Sequence, residues 1–125
     1  MKLVDTSVVV DHLRGVRVAT DLLLRVVEAG EELAASEIVR FELLSGVRAS
    51  EVEALETFFT VVTWMPVDSL VARVAGRLAR RFRRTHSGID DADYLIAATA
   101  LILEAELLTK NVRHFPMLPH LAAPY

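Results

Sequence analysis

LVDTSVVVDHLRG, residues 3–15, reads as a strand that stops at an acid and turns directly into a helix. Leu3 and Val4 are a short apolar strand, and Asp5 ends it. Ser7 to Leu13 follows as a helix, capped by Asp5 or Thr6 and stopped by Gly15. The same alternation repeats outward from this unit. Val18 to Ala29 places apolar residues at helical spacing and ends at Gly30. Glu32 to Ala35 is a second strand, after which Ser36 caps a helix from Glu37 to about Leu44, closed by Gly46. Ser50 is expected to cap a short helix through Phe58, and Val61 to Met65 to form a third strand terminated by Pro66. Asp68 caps an arginine-rich helix from about Leu70 to Arg84, and Ser87-Gly88 breaks the chain. Asp90 or Asp91 starts a helix through Glu104, Leu107 and Leu108 make a fourth strand, and Asn111 to Phe115 is a turn or short helix.

Strand–helix alternation over 125 residues predicts one α/β domain spanning residues 1–125, with a short parallel sheet of four or five strands flanked by helices. In such sheets a ligand sits beyond the carboxyl ends of the strands, where helices begin. Asp5 and Asn111 fall at such ends, and Asp90, Asp91 and Asp93 at a helix start.

Composition removes several function classes. The chain is 53% hydrophobic, enough to bury a core, so disorder is not expected. It has no cysteine, which excludes a disulfide scaffold, thiolate metal sites and a cysteine nucleophile. Asp5 interrupts the start before a signal-peptide core could form, and the longest nearly apolar run, Tyr94 to Leu103, is about half of a membrane span. A cytoplasmic protein with no membrane partner is therefore expected. Net charge is −3, which does not announce a nucleic-acid binder, but the charge is unevenly spread. Arg73, Arg77, Arg80, Arg81, Arg83 and Arg84 lie together with no acid among them, leaving the remainder distinctly acidic.

No HExxH or CxxC spacing competes for a metal, so the candidate ligands are carboxylates from distant segments: Asp5, Glu42 and the Asp90-Asp91-Asp93 cluster. Each has an ordinary alternative. Asp5 is also a helix cap, although a carboxylate straight after an apolar strand is costly to desolvate without a cation or donors. Glu42 is also a solvated residue on a helix with Ile38, Phe41 and Leu44. Asp90, Asp91 and Asp93 also complement a helix N-terminus. Three acidic sites at three predicted switch regions of one α/β domain together carry more weight than any one of them.

Four segments then resemble PIN-domain toxins of the VapC type: LVDTSVVVDHLRG at 3–15, SEIVRFELLSG at 36–46, DADYLIAATAL at 91–101 and LLTKNVRHF at 107–115. They occur in family order and span nearly the whole chain. The resemblance implies a Mg²⁺- or Mn²⁺-dependent endoribonuclease, a hydrolase acting on transfer or ribosomal RNA. It also implies a toxin neutralised by a cognate antitoxin, usually dimeric, with a heterotetramer or larger assembly when the antitoxin is bound. Asp5, Glu42 and Asp93 would be the metal-coordinating acids. Thr6 or Ser7 would hold a ligand or water in place. Asn111 stands where many relatives carry a fourth Asp, and Asp91 is a spare acid, so both are further metal-site candidates. Water is the nucleophile in such a family, and no Ser or His nucleophile is required.

The four histidines show no catalytic spacing, and His12 is expected on a helix surface. The arginine stripe is either the solvated face of an amphipathic helix or, through Arg77, Arg80, Arg81 and Arg84, a contact for RNA phosphates or an acidic antitoxin segment. Three rivals remain at this point: a non-toxin nuclease of the same fold, a phosphoacceptor module, and an inactive α/β binding module. The phosphoacceptor module expects its paired acids after the first strand, whereas Asp90-Asp91 comes late.

Overall fold

The computed structural model describes residues 1–125. Four strands alternate with six helices: β1 (Lys2–Val4), α1 (Thr6–Leu13), α2 (Arg17–Glu28), β2 (Leu33–Ser36), α3 (Glu37–Gly46), α4 (Val52–Val61), β3 (Thr63–Met65), α5 (Ser69–Phe82), α6 (Asp91–Leu103) and β4 (Glu106–Leu108). Single 3₁₀ turns lie at Ala49–Glu51 and Val112–His114.

The strands form one parallel sheet in the order β3-β2-β1-β4. The chain steps from β1 through β2 to β3, then crosses back to lay β4 on the far side of β1. Leu3 pairs with Ala34 on one side and with Leu107 on the other. The order therefore reverses at β1, and the carboxyl ends of β1 and β4 form the switch point where such sheets place a ligand. All four residues of β2 are buried, although alternate residues point to opposite faces, so both faces of the sheet are covered.

The centre of the core is α6, which packs against β2, β4, α3 and α5. Tyr94 and Ile96 to Ala100 are all buried, as expected of a helix whose apolar residues run round its circumference. Its N-terminal turn is more exposed and carries the acids.

Two expectations about boundaries are corrected. Ser50 does not cap the fourth helix. It lies inside the 3₁₀ turn, where the Arg48 N–H donates to Glu51 Oε1 at 3.0 Å and the α-helix begins at Val52. Val61 belongs to the end of α4, so β3 starts at Thr63; a β-branched pair after a helix carries no signal that separates the two states. Ser36 has two roles at once: it ends β2, and its Oγ accepts from the Ile38 N–H at 3.2 Å to cap α3.

Candidate metal centre

Asp5 is the first residue after β1, with extended backbone angles and only 4% exposure. Its N–H donates to the Leu108 carbonyl at 2.9 Å, continuing the β1–β4 ladder by one residue. Although it precedes α1, its carboxylate does not cap that helix. It turns to hydroxyls instead. Thr109 Oγ1 donates to Asp5 Oδ2 at 2.6 Å, and Ser7 Oγ donates to the same oxygen at 3.2 Å. Thr109 is wholly buried, and its oxygen also accepts from the Asn111 N–H at 3.0 Å. Ser7 Oγ accepts from the Lys110 N–H at 3.2 Å, while the Lys110 ammonium pairs with Asp11 at 2.7 Å. The loop after β4 is thus stitched to the start of α1 around one buried carboxylate.

Glu42 reaches the same region from α3, half-buried, and its Oε1 accepts from Thr6 Oγ1 at 2.7 Å. Asp93 comes from the first turn of α6. Its Oδ2 accepts from the Asp90 N–H at 3.2 Å and lies 3.4 Å from His114 Nδ1.

The electrostatics show that these acids share one region. Burial pushes the Glu42 carboxyl above its usual range; the Thr6 hydroxyl opposes this, and the charges of Asp5 and Asp90 add to it. Burial raises Asp93 further, to about 6; the Asp90 N–H and His114 oppose the rise, while Asp5 and Asp90 reinforce it. His114 is the only basic side chain to reach any of the four carboxylates. Acids gathered around a single imidazole and poorly solvated are the arrangement a cation relieves. The donors are carboxylate and hydroxyl oxygens, which suit a hard divalent ion. As the side chains stand, no three acidic or imidazole groups are at metal-ligating spacing, so binding would draw them together.

The other expected residues separate. Thr6 and Ser7 stand in the site, each holding one acid. Asp91 turns away, with Oδ1 accepting from Arg83 Nη2 at 2.6 Å and its side chain 88% exposed. Asn111 is exposed, and only its backbone N–H is engaged with the site. Near the end of α5, Arg81 lies over the Phe82 ring, whereas Arg80 on the helix and Arg83 and Arg84 just after it line the groove beside α6.

Thr109 and His114 carry no signal in the sequence that marks them for this site, and Asp90 is there only one of several clustered acids. Thr109 lies within the fourth quoted segment, but a threonine after an apolar strand looks like a strand end. The expectation for His12 is corrected: it is half-buried, with Nδ1 2.7 Å from Thr20 Oγ1 and its ring against Phe58, and burial lowers its pKa.

Comparisons with known proteins bear on the family and the fold. A family model described as PIN domain matches residues 2–119. Ribonuclease VapC19 of Mycobacterium tuberculosis is 62% identical over 125 residues, covering all of both chains. Ribonuclease VapC10 of the same organism is 41% identical, covering all of this chain and 93% of the relative. Among solved structures, a toxin–antitoxin complex from Klebsiella pneumoniae superposes with a TM-score of 0.82 at 24% identity, covering 100% of this chain and 98% of that one.

Proposed function

This chain belongs to the PIN-domain family, and from that premise we propose that it is a divalent-metal-dependent endoribonuclease, a toxin of the VapC type silenced by a cognate antitoxin. The observation that carries the reading is the convergence of Asp5, Glu42 and Asp93 at the β1–β4 switch point, with Asp90 beside them and His114 as the only basic contact.

Asp5, Glu42 and Asp93 would hold a Mg²⁺ or Mn²⁺ ion. When bound, the ion supplies Lewis acidity for in-line hydrolysis of a phosphodiester by water. The chain supplies position. Thr109 and Ser7 fix the Asp5 carboxylate, and Thr6 aims Glu42. Asp93 must be deprotonated to serve as a ligand, which its raised pKa makes harder below neutrality.

The solved complex of similar fold, described as a toxin–antitoxin complex, favours a toxin held by a partner protein. Phe41 and Leu44, 65% and 48% exposed, flank Glu42 on α3 and offer apolar surface for such a partner or for a second copy. A basic side chain of the antitoxin placed among Asp5, Glu42 and Asp93 would satisfy the acids through charge-assisted hydrogen bonds. A homodimer that becomes a heterotetramer or larger with antitoxin is the assembly expected.

The test is cleavage of transfer RNA and ribosomal RNA fragments by the purified protein. Cleavage that needs Mg²⁺ or Mn²⁺, stops with EDTA and is lost in Asp93→Asn supports the reading. Metal-independent cleavage, or none with either ion, overturns it.

A further inference from the structure

Two faces of the first turn of α6 do different things. Asp90 and Asp93, three residues apart, face the acid site. Asp91 and Tyr94, also three apart but rotated by one residue, face α5. Between α5 and α6 on that second side lies a groove of about 660 Å³. Its floor is Ala72, Ala75, Gly76 and Ala79, residues too small to fill it, and its rim carries Arg80 and Arg84. Arg83 lies over the Tyr94 ring, with its guanidinium carbon 5.3 Å from the ring centroid. Tyr94 lines the groove, is 2% exposed, and its hydroxyl is the one buried side-chain polar atom without a partner in the protein. A buried hydroxyl left unpaired is costly, so the Tyr94 side of the groove is not a fully satisfied piece of core.

We propose that the α5–α6 groove is a nucleotide subsite for single-stranded RNA next to the bond being cleaved, with a base seated on the small-residue floor and its flanking phosphates on Arg80 and Arg84. The inference rests on the ribonuclease reading and extends it to where the substrate lies. Charge fits: three arginines against Asp91 leave the groove at +2. The Arg83–Asp91 pair is exposed and weak enough to exchange for a phosphate. Shape also fits. A planar base suits a shallow floor of three alanine methyls and a glycine, and an arginine plane can stack on it. Position fits, because groove and acids share the first turn of α6, about 5 Å of helix. Arg77 and Arg81, which do not line the groove, have no part in it.

The test is binding of fluorescein-labelled single-stranded RNA in EDTA, read by anisotropy across a salt series, for variants whose folding is checked by melting. Gly76→Leu should plug the groove; a Cβ added at Gly76 meets nothing within 4 Å, so the substitution is sterically open. Gly76→Leu should weaken binding at least about tenfold. Arg80→Gln with Arg84→Gln, both exposed, should lower the log–log salt slope by about 1.4, two phosphate contacts' worth. Arg77→Gln with Arg81→Gln should leave affinity within about twofold and the slope unchanged. Wild-type affinity in Gly76→Leu overturns the proposal, as does an equal loss in the Arg77/Arg81 pair. Labelled polyglutamate that binds the wild type but not Gly76→Leu, while RNA binding persists, assigns the groove to an acidic protein segment and also overturns it. These outcomes leave the ribonuclease reading standing; a wild type that neither binds nor cleaves RNA removes both.

Discussion

The Asp5 side and the Asp93 side of the acid site are built on opposite principles. Asp5 is buried at the end of a central strand, and two hydroxyls, one of them itself buried, hold a single carboxylate oxygen. Asp93 sits on a helix turn at the edge of the core, with a 3.2 Å backbone contact and an imidazole at 3.4 Å. The first is oriented before any ligand arrives. The second is charged only reluctantly, its carboxyl pushed up to about 6 by burial and by neighbouring acids. If both acids hold the proposed metal, the fixed one would supply geometry and the proton-sensitive one responsiveness to cation and pH.

The largest expected effect removes that difference altogether. Asp5→Asn and Asp93→Asn should each cut metal-dependent RNA cleavage by more than about 100-fold, beyond the 10–100-fold typical of losing a supporting contact. Single-turnover cleavage at saturating Mn²⁺ measures this. Near wild-type rates in either variant would remove that acid from the ligand set.

Breaking only the orientation of Asp5 should cost less. Thr109→Val keeps shape but deletes the 2.6 Å donor and the acceptor used by the Asn111 N–H. Metal affinity should fall about 10–100-fold, and Thr109→Ser should restore most of it. Calorimetric titration with Mn²⁺ separates this from a general loss of fold, which melting would reveal.

The Asp93 side is sharpened by pH. Its folded pKa lies above the ordinary value of 3.8, so between pH 4 and 6 the native state binds more protons than the unfolded one. The contribution of this group is therefore lost as pH rises through that window. Without metal, Asp93→Asn should melt like wild type near pH 4 and above it at pH 7, the gap opening through about pH 6. A constant gap across pH would place the effect elsewhere. The smallest effect is expected at Asn111. Its contact with Thr109 is through the backbone, so Asn111→Ala should retain cleavage within a few-fold of wild type, far above Asp5→Asn. A loss as large as that of Asp5→Asn would show that the exposed amide has a direct role.

The sequence showed the acids more readily than what holds them. Asp5 and Asp93 are visible because each interrupts apolar residues at a strand end or helix start, and the strand–helix alternation gives the parallel sheet. Thr109 is invisible by the same means. Its partner is 104 residues away, and only the pairing of β1 with β4 makes them neighbours. His114 meets Asp93 through a 3₁₀ turn whose direction local spacing does not encode. The boundary at Val61 failed because β-branched residues fit both the last turn of a helix and a strand.

The position of β4 also has a temporal consequence. Of the two strands that flank β1, β4 is synthesised much later: Leu3 meets Leu107, and Asp5 waits for Thr109. At about 5–20 residues per second, that delay is on the order of 5–20 s. During it the growing chain has β1, β2 and β3 but lacks the Thr109 hydroxyl that holds its first acid. The Asp5 carboxylate is therefore oriented only late in synthesis, once β4 and the residue after it have been made.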